Sequence, residues 1–199
     1  MIVLPFQPTN IHGWTYSGEL SFLYNESLRL ADQGIPGALL EVGCWLGRST
    51  YPLACTDHVD VIDTFAGSPE IPEADRVPDQ LATFCENMTV LGVGDRITCY
   101  KGESWYWLER LTGPYRLIFV DGGHDYPTVS NDLTQAKRLL SPGGTLVVDD
   151  VCVQFPGVQR AVRDVLANDV TEVGKMGVHR CPREASTGSP PKRTAKLAT

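Results

Sequence analysis

Apolar positions along this chain fall into short blocks that alternate between helical and strand spacing. Over residues 17–32, SGELSFLYNESLRLAD, the residues Leu20, Leu23, Leu28 and Leu30 follow a largely helical pattern behind Ser17, a residue type suited to an N-cap. ALLEVG (38–43) then reads as a short buried strand, and GRSTYPLACT (47–56) begins a helix after a glycine pair. Further strands are predicted at VDVIDTF (59–65), DRITCYKG (95–102), YRLIFVDGG (115–123) and TLVVDDV (145–151). Between them DQLATFCENMTVLG (79–92), ESWYWLERL (103–111) and TVSNDLTQAKRLL (128–140) have helical spacing, the last closed by SPGG. VQRAVRDVLAN (158–168) is a final helix, followed by two weaker strand candidates, VTEVG (170–174) and MGVHRC (176–181).

Strands that are apolar on both faces and alternate with helices call for a parallel sheet covered on both sides. The expected fold is therefore α/β: a doubly wound, mostly parallel seven-stranded sheet of Rossmann-like type. From Pro182 the sequence PREASTGSPPKRTAKLAT holds almost no large apolar residue and cannot repay its ordering entropy. One domain over 1–182 and a disordered basic tail over 183–199 are expected.

The 199 residues are 42% hydrophobic and 21% charged, the balance of an ordinary globular domain, which excludes wholesale disorder and coiled coil. Net charge is −7; the four basic residues and one acid from Arg183 onward leave the body at −10, unsuited to general phosphate-backbone binding. Six cysteines without a C-x-x-C pair argue against a zinc cage or disulfide framework, and most are expected as small buried hydrophobes. The first ten residues lack a basic flank and a long apolar stretch, and no run of about 18 apolar residues occurs, so a cytoplasmic protein without membrane or nucleic-acid partners is expected.

Ligands of an open parallel sheet bind beyond the carboxyl ends of its strands. There Glu41-Val-Gly43-Cys-Trp-Leu-Gly47 ends the first strand, with glycines that allow a tight turn and free N–H groups at the following helix start. The G-x-x-x-G spacing departs from the G-x-G-x-x-G of pyrophosphate-binding folds. Asp63 ends the second strand about 20 residues later, where a carboxylate accepts both ribose hydroxyls; a solvated strand-end Asp is the plainer alternative. Together the two favour a nucleoside ligand.

Asp121 ends the fourth strand and Asp149 and Asp150 the fifth. Neighbouring strands lie roughly 4.8 Å apart, so the three carboxylates converge and repel unless protons or a cation intervene. Oxygen-only donors suit Mg²⁺, Mn²⁺ or Ca²⁺; the alternative is that some of the three cap loops or pair with Arg. His124 follows in D-G-G-H, at the strand mouth, where an imidazole can take a hydroxyl proton near neutral pH.

These segments resemble the class I S-adenosylmethionine (SAM)-dependent methyltransferases over about residues 12–180. LLEVGCWLGRST looks like their first motif, VIDTF their second and YKGESW the position beside adenine. LIFVDGGHDY and LSPGGTLVVDDV resemble the macrocin-type sugar O-methyltransferases of the methyltransferase 24 branch. The resemblance implies that Glu41, Gly43 and Gly47 surround the methionine part of SAM, with Ser49 near its carboxylate. It places Asp63 on the ribose, Ser104 and Trp105 at the adenine, and Asp121 at the edge of the cofactor site. It further implies a divalent cation, Mg²⁺ first, on Asp121, Asp149 and Asp150, with His124 as the base that readies a hydroxyl of a small, sugar-like acceptor. The catechol and caffeoyl-CoA enzymes place a Lys nearby, and none occupies this stretch. Two rivals are a non-catalytic SAM-binding protein and, against the missing G-x-G-x-x-G, an NAD-dependent oxidoreductase. Nitrogen methylation lacks its D/N-P-P-Y/F signature here. The Ala66–Pro78 loop, Val151–Pro156 and Ile11–Tyr16 are candidate acceptor walls, and self-association stays open.

Overall fold

A computed structural model describes residues 10–68 and 72–183. Part of the Ala66–Pro78 loop and the tail from residue 184 lie outside the described residues. Seven strands, β1 (Ala38–Val42), β2 (Val59–Asp63), β3 (Ile97–Lys101), β4 (Tyr115–Val120), β5 (Leu140–Val148), β6 (Thr171–Val173) and β7 (Met176–Arg180), form one sheet in the order β3-β2-β1-β4-β5-β7-β6. β1 to β5 pair in parallel, whereas β7 runs antiparallel to β5 and β6 antiparallel to β7. This is the doubly wound sheet that the sequence predicts.

Side chains alternate across each strand and so feed two apolar layers. Leu39, Val59, Val61, Leu117, Phe119 and Val147 pack with the helices α1 (Ser17–Asp32), α2 (Thr50–Ala54) and α3 (Gln80–Val90). Their neighbours Leu40, Val42, Ile62, Ile118, Val120 and Val148 meet α4 (Ser104–Leu108), α5 (Tyr126–Leu139) and α6 (Pro156–Leu166) on the other face. Helix starts carry their own signals: Asp79 accepts from the Ala82 amide at 3.0 Å at the head of α3, and Asp125 from the Thr128 amide at 3.1 Å at the head of α5.

Several local expectations change. α1 is capped at Tyr16 rather than Ser17, because the Glu19 carboxylate takes the Tyr16 amide at 2.7 Å, and Leu28 faces out of the helix, exposed. SPGG does not close α5 but lies inside β5: pairing slips between Tyr115–Leu140 and Leu117–Thr145, and the extra residues bulge out with Gly143 at a positive φ of 81°. Of the cysteines only Cys44 is buried; Cys85 and Cys99 are exposed, the rest are intermediate, and all six are free thiols. Among the described residues no helix is long and apolar enough to cross a membrane.

Candidate active site

Register sets one row of residues across the sheet edge. Val42 pairs with Ile62 and Val120, and Val120 with Val148, so the next residue on each strand, Gly43, Asp63, Asp121 and Asp149, stands at the same level. Backbone bonds continue the ladder to this row: Gly43 N–H to Ile62 at 2.8 Å, Asp121 N–H to Val42 at 2.8 Å and Asp149 N–H to Val120 at 2.9 Å. Beyond it, Trp45, Phe65 and Asp150 adopt positive φ without being glycine (42°, 53° and 56°), each just past the end of a central strand. Such conformations cost on the order of 1–3 kcal/mol and gather where a site demands them.

At the β1 end the chain must turn at once. Gly43 has φ 85°, and a Cβ there would collide with the Asp121 carbonyl oxygen, so glycine is required. Glu41, one pleat earlier, is fully buried and receives the Thr50 hydroxyl at 2.5 Å, with the Ser49 hydroxyl also turned to it. Ser49 thus meets a carboxylate of the protein itself. Burial pushes the Glu41 carboxyl up to about 7, against the pull of those two hydroxyls. Its second oxygen, Oε1, is buried and has no partner among the described residues. An unpaired buried acceptor next to a glycine turn fits a ligand ammonium.

Asp63 spans the gap between the β1 and β2 ends. Its Oδ2 accepts from the Cys44 amide at 2.9 Å and the Trp45 amide at 2.8 Å, and its Oδ1 from the Phe65 amide at 2.7 Å. The carboxylate expected on a ribose is therefore first of all the tie that holds the glycine turn after β1. Over the turn lies residues 10–16: Arg48 donates to the Ile11 and Thr15 carbonyls at 2.7 and 2.9 Å, and Trp14 stacks on Trp45 with ring centres 4.7 Å apart. His12 reaches Asp75 of the following loop at 3.2 Å, so two of the expected walls touch each other.

Past β3, the Ser104 hydroxyl donates to Asp132 Oδ1 of α5 at 2.7 Å. Asp132 is almost wholly buried, and burial raises its carboxyl to about 6. Sequence reasoning passed over Asp132, since one acid inside an amphipathic helix carries no signal of its own. Trp105 stands exposed at the rim, edge-on to Tyr106, while Trp107 packs into the core layer.

At the β4 and β5 ends, ligand atoms of Asp121, His124 and Asp150 lie within 4.8 Å of one another. His124 Nε2 is 3.0 Å from Asp150 Oδ2, and its ring stacks on Phe155 with centroids 3.9 Å apart. Val151–Pro156 thus delivers the residue that fixes the imidazole. A small cavity beside it is lined by Val120, Asp121, Gly122, Gly123, His124, Val129, Val148, Asp149 and Val158. Asp149 does not join the converging set: the ammonium of Lys175, from the turn between β6 and β7, holds its Oδ2 at 3.0 Å and Asp150 Oδ1 at 2.8 Å. A lysine does stand near the carboxylates, then, not in the D-G-G-H-D-Y stretch but 26 and 25 residues beyond Asp149 and Asp150. Burial, and next the Asp149 charge, hold the Asp121 carboxyl well above the ordinary range. Burial acts upward on Asp150 too, but the bonds from His124 and Lys175 outweigh it and leave its carboxyl lowered.

Residues 40–151, more than half of the chain, match the family described as a methyltransferase domain. The mycinamicin III 3''-O-methyltransferase of Micromonospora griseorubida is 28% identical over 73% of this chain and 68% of its own. A 26% identical relative, over 75% of this chain and 67% of its own, is the 8-demethyl-8-(2,3-dimethoxy-alpha-L-rhamnosyl)-tetracenomycin-C 4'-O-methyltransferase of Streptomyces olivaceus. The solved structure of the O-methyltransferase NovP shares the fold with a TM-score of 0.67, at 19% identity, over 83% of this chain and 80% of that one. Other O-methyltransferases of this fold have been captured with SAM and with S-adenosylhomocysteine. With its seven-stranded sheet and its glycine turn at the β1 end, the chain belongs to the methyltransferase-domain family, among the class I SAM-dependent O-methyltransferases.

Proposed function

We propose that this enzyme methylates a hydroxyl of a small, sugar-like acceptor, with a divalent cation, Mg²⁺ first, at the β4–β5 edge. The observation that carries the reading is the convergence of Asp121, His124 and Asp150 at the strand ends next to the glycine turn. The relatives' acceptors support the sugar: one of them acts on a rhamnosyl-bearing compound at a 4'-oxygen. Residues 1–182 form the catalytic domain in this reading, and 183–199 a dispensable tail.

Glu41 offers its unpaired Oε1 to the cofactor's ammonium, in the turn made by Gly43 and Gly47. Asp63, while tying the turn, keeps a lone pair for a ribose hydroxyl; Ser104, held by Asp132, and Trp105 flank the adenine, and Asp121 closes the cofactor site toward the acceptor. SAM, when bound, supplies an electrophilic methyl group, and a divalent cation supplies Lewis acidity that lowers the pKa of the acceptor hydroxyl. Two carboxylates, Asp121 and Asp150, match the few protein ligands that Mg²⁺ takes when substrate oxygens and waters complete its shell. His124 takes the hydroxyl proton at its imidazole, oriented by Phe155 and Asp150. Holding oxygen and methyl carbon roughly 3 to 3.5 Å apart and in line supplies most of the remaining acceleration.

The test is a methyl-transfer assay with rhamnosides and related deoxysugar glycosides, followed as S-adenosylhomocysteine release, with Mg²⁺ and with EDTA. Turnover that EDTA abolishes while calorimetric SAM binding survives supports the reading; full turnover in EDTA removes the cation from it.

A further inference from the structure

Asp132 puts a carboxyl group where packing alone asks for none. It is 1% exposed, on the face of α5 that also buries Val129, Leu133 and Ala136. Its Oδ1 accepts the Ser104 hydroxyl at 2.7 Å, and its Oδ2 lies toward the loop after β4, 3.9 Å from where a Cβ on Gly122 would stand. One side chain therefore borders both the start of α4 and the loop that carries Asp121 and His124. As a clamp for α4 it is not needed. Arg138 of α5 already holds the far end of that helix, donating from Nη2 to the Leu108 carbonyl at 2.7 Å, and the Trp107 indole N–H donates to the Lys101 carbonyl at 3.1 Å. What a carboxylate adds is direction: an amide or a hydroxyl in its place could donate or accept, whereas an ionised carboxylate only accepts, so the serine must donate. Burial raises the Asp132 carboxyl only to about 6, which leaves it ionised at pH 7.5. The single hydroxyl proton of half-buried Ser104 is thereby committed inward, and its oxygen keeps only lone pairs for a ligand.

We propose that Asp132 is a positioning residue that turns Ser104 into a reader able only to accept a hydrogen bond, so that the cofactor site takes a 6-amino purine and rejects a 6-oxo one. The inference rests on the reading above that sets Ser104 beside the adenine, and deepens it. The amino group of adenine donates to the Ser104 oxygen. The carbonyl of hypoxanthine sets one lone pair against another and leaves both groups without a partner. A serine hydroxyl free to rotate would serve either base, and the buried carboxylate removes that freedom.

The experiment is calorimetric binding of S-adenosylhomocysteine and of S-inosylhomocysteine, its 6-oxo counterpart, to the full chain at pH 7.5. The parent should bind the first at least about tenfold more tightly, the scale of leaving one polar group unpaired. Ser104→Ala should narrow that preference to within about threefold, because nothing then reads the 6-position. Asp132→Ala should narrow it as far, and should do so by binding S-inosylhomocysteine more tightly than the parent does, a gain that loss of a merely structural tie would not produce. The double variant should match Ser104→Ala, and circular-dichroism melting confirms that each variant is folded. A folded Asp132→Ala that keeps the parental preference overturns the inference, and if Ser104→Ala has lost that preference the adenine reading still stands. Parental preference in Ser104→Ala takes the serine off the base and overturns the adenine reading and the inference together. A parent without preference overturns the inference as well. If Asp132→Ala does not fold, Asp132→Leu, which fills the space with an apolar group, takes its place; if neither folds, the parent and Ser104→Ala decide by themselves.

Discussion

Replacing Asp63 by Ala separates two duties that one carboxylate performs. In the folded chain it accepts three backbone N–H groups, from Cys44, Trp45 and Phe65, at 2.7 to 2.9 Å. Hydrogen bonds to a charged acceptor contribute about 1.5–3 kcal/mol each, less where water can substitute, and three on one group do not add in full. Asp63 is only half-buried, so the ligand-free protein should lose roughly 3 kcal/mol. For a chain of this size that is a fall in Tm of about 6–12 °C. SAM affinity should fall separately by about 10- to 150-fold, the equivalent of one charge-assisted bond to ribose. Asp63→Asn should lie between: its carbonyl oxygen can keep the Cys44 and Trp45 amides, but its NH₂ then faces the Phe65 amide, donor against donor. Scanning fluorimetry without ligand reads the first loss and isothermal calorimetry with SAM the second. An unchanged ligand-free Tm in Asp63→Ala would refute the anchoring argument; a lowered Tm with parental SAM affinity would leave Asp63 as a structural tie only.

The sheet was legible because each central strand is an apolar run with its own turn chemistry, and the order of acid, glycine and acid at strand ends survives into one row at the sheet edge. Asp121, His124 and Asp150 could be read for the same reason, since each sits at or just past a strand end. Lys175 could not. Its position depends on β7 turning antiparallel, a choice that depends on long-range packing and that the short, weakly patterned segments 170–181 do not encode locally. Asp132 and Phe155 were missed because their partners, Ser104 and His124, lie 28 and 31 residues away, and only packing brings them together. Ser17 and SPGG misled for a related reason: cap and turn propensities are local, and here a Glu19 carboxylate and a β5 bulge prevailed.

Three further outcomes follow from the site. His124→Ala should keep SAM binding and lose about 10² to 10⁴ in kcat, the usual contribution of a general base; a parental rate would leave the base unassigned. Phe155→Ala removes the ring stacked on His124 at 3.9 Å and should lower kcat with little change in SAM affinity, which stopped-flow turnover and calorimetry would separate; a variant that turns over as the parent does would mean that Asp150 alone orients the imidazole. The last concerns pH. Burial holds the Glu41 carboxyl near 7 in the folded protein, against an ordinary 4.5 in a solvated chain. Its folded value is the higher one, so between about pH 4.5 and 7 the folded state binds the extra proton, and stability from this group falls as pH rises through that window. The full cost, on the order of 3 kcal/mol, is present above pH 7. A ligand ammonium on Oε1 relieves it, so SAM binding should strengthen as pH rises toward 7 and should release a proton below it. Glu41→Gln keeps the shape, carries no charge and should flatten the ligand-free Tm profile between pH 5 and 8 while weakening SAM binding. Parallel Tm-against-pH curves for parent and Glu41→Gln would show that the buried carboxyl is not the group that titrates.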